Sequence, residues 1–168
     1  MASDSIATYL NDHLAGSVAA LDLLEHLEKL HLQPGVATVL AEIRADIAVE
    51  REQLESLMDR LDVVRSRPRQ ATAWLAEKFT QLKLRLDDRE GGALRLFEGV
   101  EAVSLGLDGK RALWRALSAA AEVNPELRGP DYPRLIQRAD EQRDRMETLR
   151  IDAARAALAA EPAEARAT

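Results

Sequence analysis

Cysteine is absent from this sequence, and aromatic residues, glycine and proline are scarce. Without a thiol, the chain cannot form disulfides, thiolate-ligated zinc sites or iron–sulfur clusters. No apolar run approaches the roughly 20 residues that a transmembrane helix needs, so no membrane partner is expected. The first residues lack the basic stretch and the apolar core of a secretory signal, and the expected location is therefore the cytoplasm.

Charged and helix-forming residues, in contrast, are abundant. The 168 residues include 23 lysines and arginines against 29 aspartates and glutamates, which gives a net charge of −6. An acidic protein is repelled by phosphates, so no nucleic-acid partner is expected. Abundant Ala, Leu, Glu and Arg favour helices. The length suits one domain, which we place at residues 1–160, and the tail at 161–168 is expected to be disordered.

Apolar periodicity predicts an all-α fold, in which four long helices pack as an antiparallel four-helix bundle. The first helix ends near Leu30 and the second begins at Pro34, and so short a break predicts a hairpin. The third helix runs from about Ala93 to Ala121, and Asp131 is placed to cap the fourth.

The connection between the second and third helices is long. It spans residues 66–92 and contains an amphipathic segment at 71–86, which predicts a short extra helix. Such a segment reaches about 24 Å at 1.5 Å per residue, and its extended flanks add more. The connection is therefore long enough to cross the bundle lengthwise, which would make helices 2 and 3 parallel.

Helix 2 carries the clearest pattern in the sequence. Nine positions follow the spacing of a buried seam. Eight of them are apolar, namely Val36, Leu40, Ile43, Ile47, Leu54, Leu57, Leu61 and Val64. The ninth, near the middle, is Glu50. A carboxylate in such a seam is destabilising unless it is paired or bound to a metal ion.

Each of the other three helices also carries polar residues on or beside its seam. They are Ser17 and His13 in helix 1, Glu101 in helix 3, and Asp140, Gln142 and Arg143 in helix 4. Asp108 lies on the same side of helix 3 as Glu101 and is an alternative inward carboxylate. Four helices therefore direct polar groups toward the middle of the predicted bundle.

This arrangement resembles a ferritin-like protein over residues 5–158. Di-iron bundles of that superfamily use one Glu from each of two helices and a Glu-x-x-His from each of the other two. Here helix 2 reads Glu50-Arg-Glu-Gln53, helix 4 reads Asp140-Glu-Gln-Arg143, and helix 3 has Glu101 as a single Glu. Gln and Arg replace the two histidines, and neither is a good iron ligand.

The departure from the di-iron pattern leads to a structural hypothesis. Arg143 is always ionised and offers a planar fork of donors to carboxylates. We expect it to take the place of the metal and to neutralise Glu50 and Glu101. The predicted buried polar network consists of Glu50, Glu101, Gln53, Gln142, Arg143 and Ser17.

Three functions follow from the resemblance and the network. The first is a non-catalytic binding or interaction module with a vestigial metal site and no cofactor. The second is an iron- or manganese-binding oxidase or storage protein, whose candidate ligands are Glu50, Glu101, Asp140 and His13. The third is a purely structural, dimerising bundle. A homodimer is suggested by Tyr9, Leu23, Leu27 and Leu30, which lie off the main stripe of helix 1 and need a cover, either a second copy or the crossover helix.

Overall fold

The computed structural model describes residues 3–30, 32–65 and 92–159. Within these ranges the chain forms four long α-helices and no strand, which confirms the all-α class. The helices are α1 (Asp4–Glu28), α2 (Pro34–Arg60), α3 (Gly92–Val123) and α4 (Tyr132–Ala157). A short 3-10 helix, Pro125–Leu127, lies between α3 and α4. The predicted crossover helix at 71–86 and the tail at 161–168 are outside the described residues.

Local signals explain where three of these helices begin. The Ser3 hydroxyl accepts a hydrogen bond from the Ile6 amide at the start of α1. Pro34, which lacks an amide hydrogen, occupies the first turn of α2, where no intrahelical donor is needed. The Asp131 carboxylate accepts from the Arg134 amide at 3.1 Å and caps α4, as its position in the sequence predicts.

Ion pairs show the order in which α3 and α4 meet. The pairs are Glu101–Arg150, Asp108–Arg143 and Arg111–Asp140. Residue numbers therefore rise along α3 as they fall along α4. The same opposed order relates α1 and α2. Glu28 pairs with Arg44 near one end, and near the other the Asn11 side-chain amide donates to the Val64 carbonyl at 3.1 Å.

The described helices bury two apolar clusters, one toward each end of the molecule. The first cluster includes Leu10, Leu14, Leu54, Leu57, Leu113, Trp114 and Leu135. The second includes Ala20, Leu24, Ile43, Ile47, Val103, Leu107 and Met146. Each helix also has a buried or partly buried polar residue between the residues that it gives to the two clusters, namely Ser17, Glu50, Lys110 and Gln142 in order. The core is therefore divided by a polar layer.

The four side chains of predicted helix 1 that suggested a homodimer do not form a separate exposed face. Leu23 and Leu27 are fully buried within the second cluster, and Tyr9 and Leu30 pack against the core. Contacts within the described chain thus already cover these side chains, and the homodimer itself stays a prediction. None of the helices in the described ranges is long and apolar enough to cross a membrane.

Candidate functional site

Glu50 lies at the centre of the polar layer, on the face of α2 that its seam predicts. The residue is only 2% exposed. Its Oε1 accepts a hydrogen bond from Gln142 Nε2 of α4 at 2.8 Å, and its Oε2 pairs with the Lys110 ammonium of α3. The buried carboxylate is therefore both neutralised and hydrogen-bonded, as burial of a charge requires.

Lys110 completes a ring of three side chains. Its ammonium donates to Glu50 Oε2 and to Gln142 Oε1, while Gln142 donates to Glu50. We call this group the Glu50–Lys110–Gln142 triad. The Lys110 side chain is 14% exposed. Burial lowers the pKa of its amine, and the negative charge of Glu50 partly opposes that shift.

A second cation approaches Glu50 from the side that faces α4. Arg138 Nε lies 3.4 Å from Glu50 Oε1, and the same guanidinium lies 3.3 Å from the Asp46 carboxylate. Asp46 also pairs with Arg145, which reaches Glu42 at 3.2 Å. A chain of alternating charges therefore connects the triad to the surface between α2 and α4.

The structure corrects the prediction for Arg143, Glu101 and Asp108. Arg143 pairs with Asp108, and Glu101, which is 46% exposed, lies 3.1 Å from Arg150. None of the three contacts Glu50, so the predicted Glu–Arg–Glu network is wrong. Adjacent helical residues point about 100° apart. Arg143 therefore lies beside the seam that its neighbour Gln142 occupies.

The sequence contains a signal for Lys110, although Lys110 was not among the residues predicted to face the core. The seam of α3 continues beyond Leu107 at three- and four-residue spacing, as Lys110, Trp114, Leu117 and Ala121. Lys110 is the charged member of this longer seam, as Glu50 is in α2. The spacing rule that places Glu50 in the core therefore also predicts that Lys110 faces the core.

The remaining predicted network residues take different places. Gln53 is exposed. Ser17 is partly buried, and its hydroxyl donates to the Leu14 carbonyl at 2.6 Å. Both belong to the predicted network, but neither has a hydrogen bond to Glu50 or Lys110 among the described contacts. Of the six predicted members, only Glu50 and Gln142 contact each other in the triad.

The predicted metal ligands are not brought together. Glu50 is in the triad, Asp140 pairs with Arg111 at 2.6 Å, and Glu101 pairs with Arg150. His13 packs edge-on against Tyr9, with ring centroids 4.7 Å apart. Across the described residues, no group of three or more His, Asp or Glu side chains is placed to hold a metal ion.

A cavity of about 210 Å³ lies against the triad, between α1, α2 and α3. Glu50 and Lys110 form part of its wall, and most of the remaining lining is apolar. Three glycines, Gly16 of α1 with Gly106 and Gly109 of α3, also line it. A Cβ at any of them would have no described atom within 4 Å, so the missing side chains leave the space open.

The charges around the cavity balance. Asp12 and Glu50 carry negative charge, whereas Arg51 and Lys110 carry positive charge. His13 also lines the cavity, and burial lowers the pKa of its imidazole, which favours the neutral ring. The cavity therefore presents no net charge to a ligand, and two of its charged groups already neutralise each other.

Comparisons with protein-family models, with curated proteins and with solved structures gave no match to this chain. Any proposal for its function therefore depends on the geometry of the triad and the cavity.

Proposed function

We propose that this protein is a non-catalytic, ferritin-like module that binds a small molecule in the cavity beside the Glu50–Lys110–Gln142 triad. The observation that supports a binding function is the cavity itself, which adjoins the buried polar layer and is left open by the side chains of the described residues. Concave, mainly apolar pockets with a few polar groups are typical of small-molecule sites.

The ferritin-like, antiparallel arrangement is part of this proposal. It is supported by the opposed order of contacts between α1 and α2 and between α3 and α4. It is also supported by polar side chains that converge from three helices on the middle of the core. Bundles of this type build their sites from side chains on facing helices.

We further propose that the module works without a metal ion. Glu50 is the residue that most resembles a metal ligand, and the Lys110 ammonium contacts it directly. A cation of the protein would thus do what a bound metal does elsewhere, which is to neutralise a buried carboxylate. The two candidate ligands in α3 and α4, Glu101 and Asp140, have arginine partners of their own.

The cavity favours a neutral, mainly apolar ligand of modest size. An apolar cavity of about 150 Å³ can hold benzene, so a space of about 210 Å³ suits a ring with a short substituent. An ionic ligand would have to lose its hydration without finding an unpaired opposite charge. Benzyl alcohol, which is neutral and has one polar group, is therefore a suitable probe.

The test is to fill the cavity from one glycine. In Gly109→Leu, the added side chain occupies open space, and leucine favours the helix more than glycine does. We expect an NMR titration with benzyl alcohol to shift the signals of cavity residues in the wild type but not in this variant.

Gly35→Leu is the matched control. Gly35 also has no described atom within 4 Å of a Cβ, but it lies exposed in the first turn of α2 and does not line the cavity. The Gly35→Leu variant should bind benzyl alcohol as the wild type does. If benzyl alcohol causes no shift in the wild type, or the same shift in Gly109→Leu, the binding function is wrong.

A further inference from the structure

The Lys110 amine is the point at which the triad meets the cavity. Its side chain comes from α3 and lines the cavity together with Glu50, while Gln142 of α4 holds both groups. An amine with an adjoining, mainly apolar space can react with a molecule held there. Primary amines form covalent adducts with aldehydes and ketones, and water exclusion protects such adducts from hydrolysis.

The surroundings of Lys110 favour its reactive form. A lysine attacks a carbonyl carbon only as the neutral amine, and burial lowers its pKa in that direction. Glu50 Oε2 is in direct contact with the ammonium and can accept the proton that must leave. The negative charges of Glu50 and Asp46 raise the pKa of Lys110 and so oppose this shift, whereas the positive charge of Arg138 lowers the pKa further.

Arg138 reduces the cost of a neutral Lys110. Loss of the ammonium charge would leave a buried carboxylate without a partner if Lys110 were the sole cation nearby, and that is strongly destabilising. Arg138 Nε, however, lies 3.4 Å from Glu50 Oε1 and stays charged. Gln142 also continues to donate to the same oxygen.

We propose that Lys110 captures a small, mainly apolar aldehyde or ketone in this cavity as a reversible imine. This inference depends on the proposed binding function and names its ligand class.

The reaction needs no component beyond the carbonyl compound. Glu50 takes one proton from the ammonium, and the nitrogen lone pair forms a bond to the carbonyl carbon while the π electrons move to oxygen. The oxygen takes a second proton from the nitrogen. Glu50 then returns its proton to the resulting hydroxyl, which leaves as water as the C=N bond forms. The product is a protonated imine beside an ionised Glu50, and the reverse reaction with water releases the ligand.

The experiment traps the imine with the full-length protein. Benzaldehyde is added with sodium cyanoborohydride, which delivers hydride to a protonated imine and makes the bond permanent. The modified lysines are then identified by peptide mass spectrometry. The sequence has four lysines, Lys29, Lys78, Lys83 and Lys110. We expect Lys110 to be modified first, several-fold faster than Lys29, because burial lowers the pKa of Lys110 and so raises the fraction of neutral amine.

Lys29 is the internal control because its side chain is 63% exposed and free to meet the reagent. A lysine with a merely structural role would be shielded and would react more slowly than this exposed one. Modification of Lys29 before Lys110 would therefore overturn the inference. In Gly109→Leu, labelling of Lys110 should fall at least tenfold with Lys29 unchanged, and in Gly35→Leu both should match the wild type.

Benzyl alcohol separates the two proposals because it has the size of benzaldehyde but no carbonyl group. If benzyl alcohol binds in the cavity and Lys110 is not labelled, the imine inference is wrong and the binding function stands. If neither compound engages the cavity, both are wrong.

Discussion

At the scale of single residues, the structure depends on how one buried carboxylate is neutralised. Glu50 gains Coulomb attraction from Lys110 but loses hydration, as does the ammonium, so the net stabilisation by such a pair is small. Removing one partner is different, because the other charge stays buried and keeps only its weaker partners. The pair is thus sensitive to single substitutions.

Replacing Lys110 by methionine tests this sensitivity. Lys110→Met keeps most of the side-chain volume but leaves Glu50 with Gln142 and the more distant Arg138. We expect the free energy of unfolding, measured by urea denaturation, to fall by about 3 kcal/mol, at the lower end for a broken buried pair.

Arg143→Ala is the comparison for that experiment, since the Glu–Arg–Glu hypothesis assigned Arg143 the role that Lys110 has. Its partner is the half-exposed Asp108, and exposed ion pairs contribute at most about 1 kcal/mol. A larger loss from Arg143→Ala than from Lys110→Met would contradict the assignment of the cation.

At the scale of elements, glycines decide how closely α1 and α3 approach. A Cβ on Gly99 would lie 2.5 Å from Leu27 Cδ2, whereas a Cβ on Gly106 would meet no described atom within 4 Å. The two helices are therefore in close contact at one end, and the cavity lies between them farther along. The same residue type on one helix has opposite structural consequences at these two positions.

Alanine substitutions at these two glycines should change stability in opposite directions. Gly99→Ala forces the buried Leu27 to move, and overpacking of this kind costs about 1–3 kcal/mol. Gly106→Ala adds a methyl group to open space and gains helix propensity, about 0.5–1 kcal/mol. Thermal unfolding of both variants measures the difference, and equal shifts of the same sign would refute the close approach.

At the scale of the whole molecule, a polar layer separates two apolar clusters that would otherwise form one continuous core. Glu50, Lys110 and Gln142 supply this layer from three helices. Buried ion pairs seldom add stability compared with apolar residues of similar volume. The proposed site would account for this layer, whereas folding stability alone does not.

Removing the layer as a unit tests that explanation. The triple variant Glu50→Leu, Lys110→Met and Gln142→Leu joins the two clusters, and Arg138 keeps its contact with Asp46. We expect its free energy of unfolding in urea to equal that of the wild type or to exceed it by up to about 4 kcal/mol. We also expect it to form no imine with benzaldehyde. A triple variant less stable than Lys110→Met alone would show that the layer is needed for folding.

The predictions from the sequence agree best with the structure where interactions between residues close in sequence determine the conformation. Hydrophobic spacing located four helices, and the cap at Asp131 is where the sequence predicts it. Glu50 and Gln142 were correctly predicted to point inward, since each occupies a seam position between apolar neighbours. Lys110 also occupies a seam position, although it was not among the residues predicted to face the core.

The partner of Glu50 and the cavity required the tertiary structure. A seam shows which residues face inward, but the axial offset between helices decides which of them meet, and a shift of one turn changes every pair. Arg143 and Lys110 are both cations near the middle of a helix, and only packing distinguishes the exposed one from the buried one. Likewise, Gly99 and Gly106 are indistinguishable as letters, because the distance to α1 is a property of the assembled bundle. The sequence alone therefore determined the helices and the buried carboxylate, whereas the tertiary structure decided its counterion and the space beside it.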